Sequence, residues 1–422
     1  MFRSLKGMED TLPADIGRWQ AMESKLRFIL TSFGYQEIRT PILEETDLFT
    51  RSIGKETDVV GKEMFSFADQ GGTQMSLRPE LTAPVIRAYL EHHLGHGNDL
   101  VKVYYLGPLF RHERPQKGRL RQFHQMGVEA IGSAHPYVDV DVIAVMMASL
   151  EAFGVKDTEL FINSVGDERC RPSYREKLQA YLRKHTGKLC ENCRRRTQTN
   201  PMRVFDCKVE SCQTSIQEAP KMMDHLCEEC KTHFVRVQEG LKEAGIRASI
   251  NPRIVRGFDY YTRTAFEVTA KGLGAQNAIA AGGRYDGLVE ELGGPPTPSV
   301  GFAMGIERLL LSATADLSTQ AMKRFEFLPL ELKAESVALR WAKEFQRRLI
   351  EKRIAATVDV AYGITSLKSA LRRADKNQTA FAILIGENEL KANKALVKDL
   401  AAHQQEEIPF TDLAERLEQK AQ

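Results

Sequence analysis

The sequence predicts an α+β chain: a sheet-and-helix body, interrupted by a helical insertion and followed by a separate α/β domain. Three observations carry this. Two strand-like runs face each other across a cationic loop in the stretch LFRHERPQKGRLRQFHQMGVE, Leu109 to Glu129. All seven cysteines fall between Cys170 and Cys230, in a block that otherwise reads as helix. From Phe325 onward, strand and helix signals alternate to the end. These shifts draw boundaries at 1–167 and 239–318 for the two parts of the body, 168–238 for the insertion and 326–422 for the last domain.

Each element has its own signal. Asp15 to Phe33 places Ile16, Trp19, Met22, Leu26, Ile29, Leu30 and Phe33 near helical spacing, and Gly34 is placed to end the helix. QEIRT is a short strand stopped by Pro41. MFSFAD and TQMSLRP read as two strands around Gly71-Gly72. Glu80 to His92 reads as a helix, with Pro84 in its first turns, where a missing N–H is tolerated. Val138 to Phe153 is an apolar helix. Strand signals return at Ser249 to Arg256 and Thr262 to Thr269. AGGRYDGL reads as a Gly-rich turn, and VGFAMGIERLLL as a strand running into a helix. Ser312 to Lys323 is small and polar, as a linker is. The last domain reads as strand FEFLPL, helix Glu335 to Glu351, strand AATVDV, helix Ser366 to Ala374, strands AFAILIG and ALVKDL, and helix Thr411 to Gln419.

Composition bounds the function. A chain of 422 residues has room for two or three domains of about 100–200 residues. A net charge of +3 is too small to argue for nucleic acid from bulk charge, so local clusters must make that case. MFRSLKGMEDTLP has no apolar core of a secretory signal, and no apolar run approaches the roughly 18 residues of a membrane span. With an odd number of cysteines, a reducing cytoplasm is expected. Neither a GxGxxG nor a GKS/T phosphate loop is present, which argues against a Rossmann or P-loop nucleotide site.

Three pieces carry chemistry. In the Leu109–Glu129 hairpin, alternation puts Tyr105, Gly107, Leu109 and Arg111 on one face of the outgoing strand. It puts Arg121, Phe123, Gln125, Gly127 and Glu129 on one face of the return strand. If the faces coincide, a guanidinium, a carboxamide, a carboxylate and two glycines share a surface suited to a small ligand of mixed charge. The loop between holds Arg111, Arg114, Lys117, Arg119 and Arg121 against one acid, Glu113. The second piece is RGFDYYTRTAFEV, Arg256 to Val268, with paired tyrosines beside a strand. The third is SVGFAMGIERLLL, in which Arg308 sits in the first turns of a helix, against the helix dipole. That cost suggests an anion held close by. Taken singly, each piece also fits a solvated hairpin, a tyrosine-rich core strand or an arginine reaching to water.

Taken together and in this order, the pieces resemble the class II aminoacyl-tRNA synthetases, and the strings resemble the histidyl-tRNA synthetase family. The resemblance runs through GMEDTLP, LRPELTAPVIRAY, FRHERPQKGRLRQFHQMGVEAIG, VRGFDYYTRTAFEV, AGGRYDGLVEELGG and PSVGFAMGIERLLL, and continues into SLKSALRRADK. It implies an antiparallel sheet flanked by helices, a C-terminal anticodon-binding domain and a cytoplasmic homodimer. The first helix and the strand around Pro41 would lie in the subunit interface. It implies that histidine and ATP, with Mg²⁺, give histidyl-adenylate, and that histidine then passes to the 3′ end of tRNA(His). Arg111, Arg256 and Arg308 would be catalytic, with Arg256 taking a role at the α-phosphate that relatives in the class give to a metal. Histidine would meet Glu80, Thr82, Arg111, Gln125, Glu129, Arg256, Tyr260, Tyr261 and Tyr285. ATP would meet Arg111, Arg119 and Arg308, and the tRNA acceptor end Arg114 and Gln116. No protein ligand set for a catalytic metal is expected. The chain departs from the family's usual pattern at Leu81, where many relatives have glycine, and in ELKANKALVKDL, which lacks a glycine before its strand. Two rivals are weaker. A regulatory paralogue in histidine biosynthesis lacks the tail domain present here, and a synthetase for threonine or proline does not carry RGFDYY.

The cysteines allow two readings. Reduced thiols packing as small buried hydrophobes is the expected one. A structural Zn²⁺ is the other, on Cys190 and Cys193 with two of Cys207, Cys212, Cys227 and Cys230, because two CxxC pairs have the spacing of zinc knuckles.

Overall fold

The computed structural model describes every residue except 1, 55–56, 98, 255–257, 274–276, 318–321 and 364–365. Arg256 therefore lies outside the described residues. The chain divides into two units, Met1–Ser318 and Thr319–Gln422.

The first unit opens with α1 (Ile16–Ser32), which buries Met22, Leu26 and Leu30 at four-residue spacing on one stripe. There follow β1 (Gln36–Glu37), β2 (Leu43–Glu45), α2 (Thr46–Ile53), β3 (Phe65–Ala68), β4 (Gln74–Leu77) and α3 (Thr82–Glu91). The long hairpin of β5 (Val101–Phe110) and β6 (Gln122–Ile131) comes next, then α4 (Pro136–Ala152) and β7 (Thr158–Ser164). The insertion supplies α5 (Arg171–Lys184), α6 (Glu191–Thr199), α7 (Glu210–Ser215) and α8 (Glu228–Glu243). The body resumes with β8 (Ser249–Ile250), β9 (Thr262–Ala270), β10 (Ala278–Arg284), α9 (Leu288–Glu291), β11 (Ser299–Gly305) and α10 (Ile306–Ser312).

The main sheet runs β1-β5-β6-β11-β10-β9-β7-β8. Its inner pairings are antiparallel, and only the edge strands β1 and β8 run parallel to their neighbours. Alternation gives the sheet two different faces. Met126, Val128 and Ala130 of β6, with Val300, Phe302 and Met304 of β11, face a core shared with α1, α4 and α8. Each of the larger of these buried side chains contributes roughly 1.5–3 kcal/mol by removal from water. The opposite face, carrying Gln125 and Glu129, is left for the cleft. β2, β3 and β4 form a small separate antiparallel sheet around the expected Gly71-Gly72 turn.

Several expectations need correction. The strand expected over Ser249–Arg256 is only Ser249–Ile250, because a turn held by Asn251 follows at once. The AGGR of the expected Gly-rich turn is strand, the end of β10. Its glycines answer a shortage of space: a Cβ on Gly282 would fall 2.2 Å from the carbonyl oxygen of Gly301 on the next strand. α2 and β7 were not legible as elements. The insertion has a core of its own, in which Tyr174, Leu178, Leu182 and Ile216 pack with Cys170, Cys193, Cys207, Cys212 and Cys230.

The second unit contains β12 (Lys323–Pro329), α11 (Leu332–Lys352), β13 (Ala356–Val360), α12 (Leu367–Lys376), β14 (Phe381–Ile385), α13 (Glu387–Lys391), β15 (Lys394–Asp399), β16 (Gln404–Pro409) and α14 (Phe410–Ala421). Its sheet runs β13-β12-β14-β15-β16 around Phe325, Phe327, Phe345 and Ile383. β16, with sequence QQEEIP, is a mostly exposed edge strand, so apolar alternation could not announce it. The glycine missing before β15 is replaced by Asn393 at φ 53°, a residue that tolerates the left-handed region. On α12, Lys368, Arg372, Arg373 and Lys376 are all exposed, and Arg373 bonds the buried Glu326 at 2.6 Å.

Candidate active site

The two hairpin faces do coincide. β5 and β6 pair Tyr105 with Gly127, Gly107 with Gln125 and Leu109 with Phe123. Continued across the sheet, one row reads Tyr105, Gly127, Ala303, Ala281 and Glu267. The next reads Val103, Glu129, Gly301, Gly283 and Ala265. Small residues at the centre of both rows hollow the sheet. Above it lies a cleft of about 500 Å³, within the size range of small-molecule sites.

The glycines serve a different purpose from the one expected. A Cβ on Gly127 would meet the Tyr105 hydroxyl at 2.3 Å, and one on Gly107 the Arg78 guanidinium at 2.8 Å. They make room for the protein's own side chains, not for direct approach of a ligand to the backbone.

At the closed end of the cleft sits Glu129, 1% exposed. Its Oε1 accepts from Thr82 Oγ1 at 2.9 Å and from the Tyr105 hydroxyl at 3.3 Å, and its Oε2 accepts from the Tyr285 hydroxyl. Burial pushes its carboxyl up to about 8, against the pull of the hydroxyls of Tyr285 and Thr82. Glu80 is also buried. It accepts the backbone N–H groups of Thr82 at 2.6 Å and Ala83 at 2.9 Å, so it caps the first turn of α3. Burial raises its carboxyl too, while those N–H groups and Arg111 lower it. Leu81, the departure from the family's glycine, is 2% exposed and packs with Val85, Tyr260 and Tyr285. Tyr260 stacks obliquely on Tyr261 at 4.7 Å and meets Tyr285 edge-on at 5.7 Å, so the three rings form one wall.

Cations line the mouth. Arg111 Nε donates to the Pro79 carbonyl at 2.9 Å, and its guanidinium lies 5.4 Å from the Phe123 ring and 5.8 Å from the Phe258 ring. Arg119 pairs with Glu113 at 2.7 Å. Arg308 donates from Nε to the Gly118 carbonyl at 3.2 Å and from NH1 to the Ala278 carbonyl at 2.6 Å. It thus ties the hairpin loop to β10. Arg114 and Gln116 are exposed on the same loop.

The cleft brings together Glu80, Thr82, Arg111, Arg119, Gln125, Glu129, Tyr260, Tyr261, Tyr285 and Arg308. Arg114 and Gln116 are not among its lining residues, and Arg256 lies outside the described residues. Sequence reasoning missed Glu267, Glu307, Asp206 and Lys208, which also line it. Glu267 had a legible signal, as the one acid on a strand of alternating β-formers. Asp206 and Lys208 had none, because they arrive from the insertion. The Arg284 of AGGRYDGL points away from the cleft. It is fully buried, bonding Asp139 at 2.9 Å, while Asp139 also meets His233 at 2.9 Å. Among the described residues, no helix is long and apolar enough to cross a membrane.

Residues 7–309 match the profile of the histidyl-tRNA synthetase family, and residues 328–420 match that of an anticodon binding domain. The chain is 44% identical to the histidine–tRNA ligase of Syntrophotalea carbinolica over 416 residues, covering 99% of this chain and 98% of that one. It is 45% identical to the histidine–tRNA ligase of Desulfitobacterium hafniense over 410 residues, covering 97% and 96%. In three dimensions it resembles the apo histidyl-tRNA synthetase of S. aureus, with a TM-score of 0.80, 36% identity and 99% of each chain covered.

Proposed function

The chain belongs to the histidyl-tRNA synthetase family, and from that premise we propose how its cleft activates histidine. It is an aminoacyl-tRNA ligase, joining histidine to ATP as histidyl-adenylate with loss of pyrophosphate and then passing histidine to the 3′ end of its tRNA. The family uses ATP with a divalent metal, and we take the nucleotide substrate to be MgATP.

The observation that carries the reading is a polarised cleft, with two buried carboxyl groups at the closed end and guanidinium groups at the mouth. An amino acid and a nucleotide present the complementary charges. Once ionised, Glu129 has about four acceptor positions, and Thr82, Tyr105 and Tyr285 use three of them. An imidazole N–H of histidine takes the fourth. A tyrosine hydroxyl of the wall meets the other ring nitrogen, so donor and acceptor are both read. A ligand lacking that pair leaves buried groups unpaired, which in a hydrogen-bonding site is worth about 10⁴–10⁵ in selectivity. Glu80, Thr82 and Gln125 receive the α-ammonium.

Arg111 lies between the histidine carboxylate and the α-phosphate of ATP. A fixed cation there offsets their repulsion and needs no reorganisation as the bond forms. Arg256 takes the role at the α-phosphate that the family gives it, and Arg119 and Arg308 hold the outer phosphates. Arg114 and Gln116, exposed on the loop, meet the acceptor end of tRNA(His). A homodimer is supported by exposed apolar side chains around α1 and Pro41, among them Phe28 at 73%, Ile42 at 43% and Leu43 at 40%. The free cysteines support a reducing, cytoplasmic location.

Pyrophosphate exchange measured with each of the twenty amino acids tests the specificity. Histidine alone should support it. Exchange at comparable rate with any other amino acid overturns the reading of the Glu129 end.

A further inference from the structure

The cysteines sort into two groups that the cleft does not use. One is Cys190, Cys193, Cys207 and Cys212, and the other is Asp167, Cys170, Cys227 and Cys230. Within each, the potential ligand atoms lie within 4.8 Å of one another. Together the groups take up all seven cysteines of the chain. The second group divides the thiols differently from the sequence expectation, since Cys227 and Cys230 join Cys170 and an aspartate and not the first CxxC.

Both groups repeat one local geometry. In each, a CxxC pair opens a helix. Cys190 precedes α6 at φ −66°, ψ 163°, and Cys227 precedes α8 at φ −68°, ψ 163°. The second cysteine of each pair, Cys193 or Cys230, is buried in the first turn of that helix. A third sulfur from elsewhere in the chain accepts the backbone N–H of the opening cysteine. Cys190 N donates to Cys212 Sγ at 3.1 Å, and Cys227 N to Cys170 Sγ at 3.0 Å. Each CxxC helix start therefore holds a third sulfur against its opening backbone N–H.

The competing reading is apolar packing of reduced thiols. Apolar packing explains burial, but it does not call for four ligand atoms to converge twice, in one repeated geometry, with no cysteine left over. Two thiolates on one tetrahedral zinc, with bonds of about 2.3 Å, lie about 3.8 Å apart. Cys190 and Cys207 have their sulfurs 3.8 Å apart. In the second group the Cys227 sulfur lies 3.9 Å from Asp167 Oδ1. Asp167 Oδ2 also accepts from Arg169 at 2.8 Å, so a guanidinium offsets the charge that three thiolates and a carboxylate would gather there. The insertion's small core has much to gain from such staples.

We propose that the insertion binds two structural Zn²⁺ ions, one on Cys190, Cys193, Cys207 and Cys212 and the other on Asp167, Cys170, Cys227 and Cys230. Sulfur-rich tetrahedral sites select zinc over magnesium or calcium. The consequence reaches the cleft. Cys207 stands between Asp206 and Lys208, both of which line it. Just upstream, Asn200 donates to Asp259 at 2.9 Å and Arg203 at 3.4 Å, and Asp259 precedes Tyr260 and Tyr261. Arg171, next to Cys170, donates to the Tyr261 carbonyl. The two ions therefore brace the segments that hold the tyrosine wall.

Metal analysis of the full-length protein, purified without chelator, tests this directly. About two equivalents of zinc per chain are expected, released by a thiol-blocking mercurial and read with a zinc-sensitive dye. Cys212→Ser should remove one equivalent and Cys227→Ser the other. Cobalt reconstitution of the wild-type chain should give intense thiolate-to-cobalt absorption. This keeps the test open if a serine variant fails to fold. Less than about a tenth of an equivalent of zinc, together with no cobalt absorption, overturns the proposal. A single equivalent that Cys227→Ser retains overturns the second site, and iron in place of zinc overturns the choice of metal.

Discussion

Thr82 Oγ1 donates to Glu129 Oε1 at 2.9 Å, joining the first turn of α3 to the cleft face of β6. Thr82 also gives its backbone N–H to Glu80. One threonine therefore sets the spacing of the two buried carboxyl groups. If Glu129 ionises as it takes the imidazole N–H, Glu129→Gln should raise the KM for histidine about 10–100-fold, the worth of a hydrogen bond to a charged group. The KM for ATP should move by less than about twofold. Equal changes in both would make Glu129 a structural group.

The same carboxyl predicts a pH dependence of stability. Burial pushes it from its ordinary value of 4.5 up to about 8. A folded-state value above the unfolded one means that folding favours the protonated form. Its contribution is fully present below about pH 4.5 and is lost as the pH rises toward about 8. Glu129→Gln cannot titrate. Without histidine, its Tm relative to wild type should climb as pH goes from 5 to 8, by an amount reflecting on the order of 3 kcal/mol at pH 7. A gap that stays flat across this range would refute the assignment.

Arg308 is expected to act on the loop as well as on the nucleotide. Its Nε holds the Gly118 carbonyl, and Gly118 sits at φ 71° between Lys117 and Arg119. Arg308→Gln should lower kcat/KM for ATP by about 10²-fold, as loss of one such electrostatic group does. It should also speed tryptic cleavage after Lys117 or Arg119, because the loop loses its tether. Faster cleavage with unchanged ATP kinetics would confine Arg308 to a structural role.

Much of this was legible in the residues, for identifiable reasons. The hairpin face could be read because period-two alternation is rigid: once Tyr105 and Glu129 are on strands, their faces follow. The partners of that face could not be read. Nothing in AGGRYDGL says that its glycines lie beside Gly301, since that contact is set by sheet register between distant segments. Polar segments were the other blind spot. β16 and the cleft-lining Asp206 and Lys208 carry no apolar period, so their positions depend on neighbours that only the fold supplies. Glu80 shows a third limit. Its residue type suited ligand binding, yet two of its acceptor positions are committed to capping α3.

The final prediction follows from the sheet's second row. Gly301 pairs with Glu129 in the β11–β6 register. A Cβ at Gly301 would fall 1.9 Å from Glu129 Oε2 and 2.4 Å from the Val128 carbonyl oxygen. The carbonyl belongs to a central strand and cannot swing away, so Gly301→Ala must part the strands or displace the Glu129 carboxylate. Overpacking of this kind costs about 1–3 kcal/mol. We expect a lower Tm and a histidine KM raised more than about tenfold. Gly187→Ala is the control: no heavy atom lies within 4 Å of its Cβ position, and it should stay within about 0.5 kcal/mol of wild type. Wild-type Tm and histidine KM in Gly301→Ala would mean that Glu129 does not sit against β11 when histidine binds.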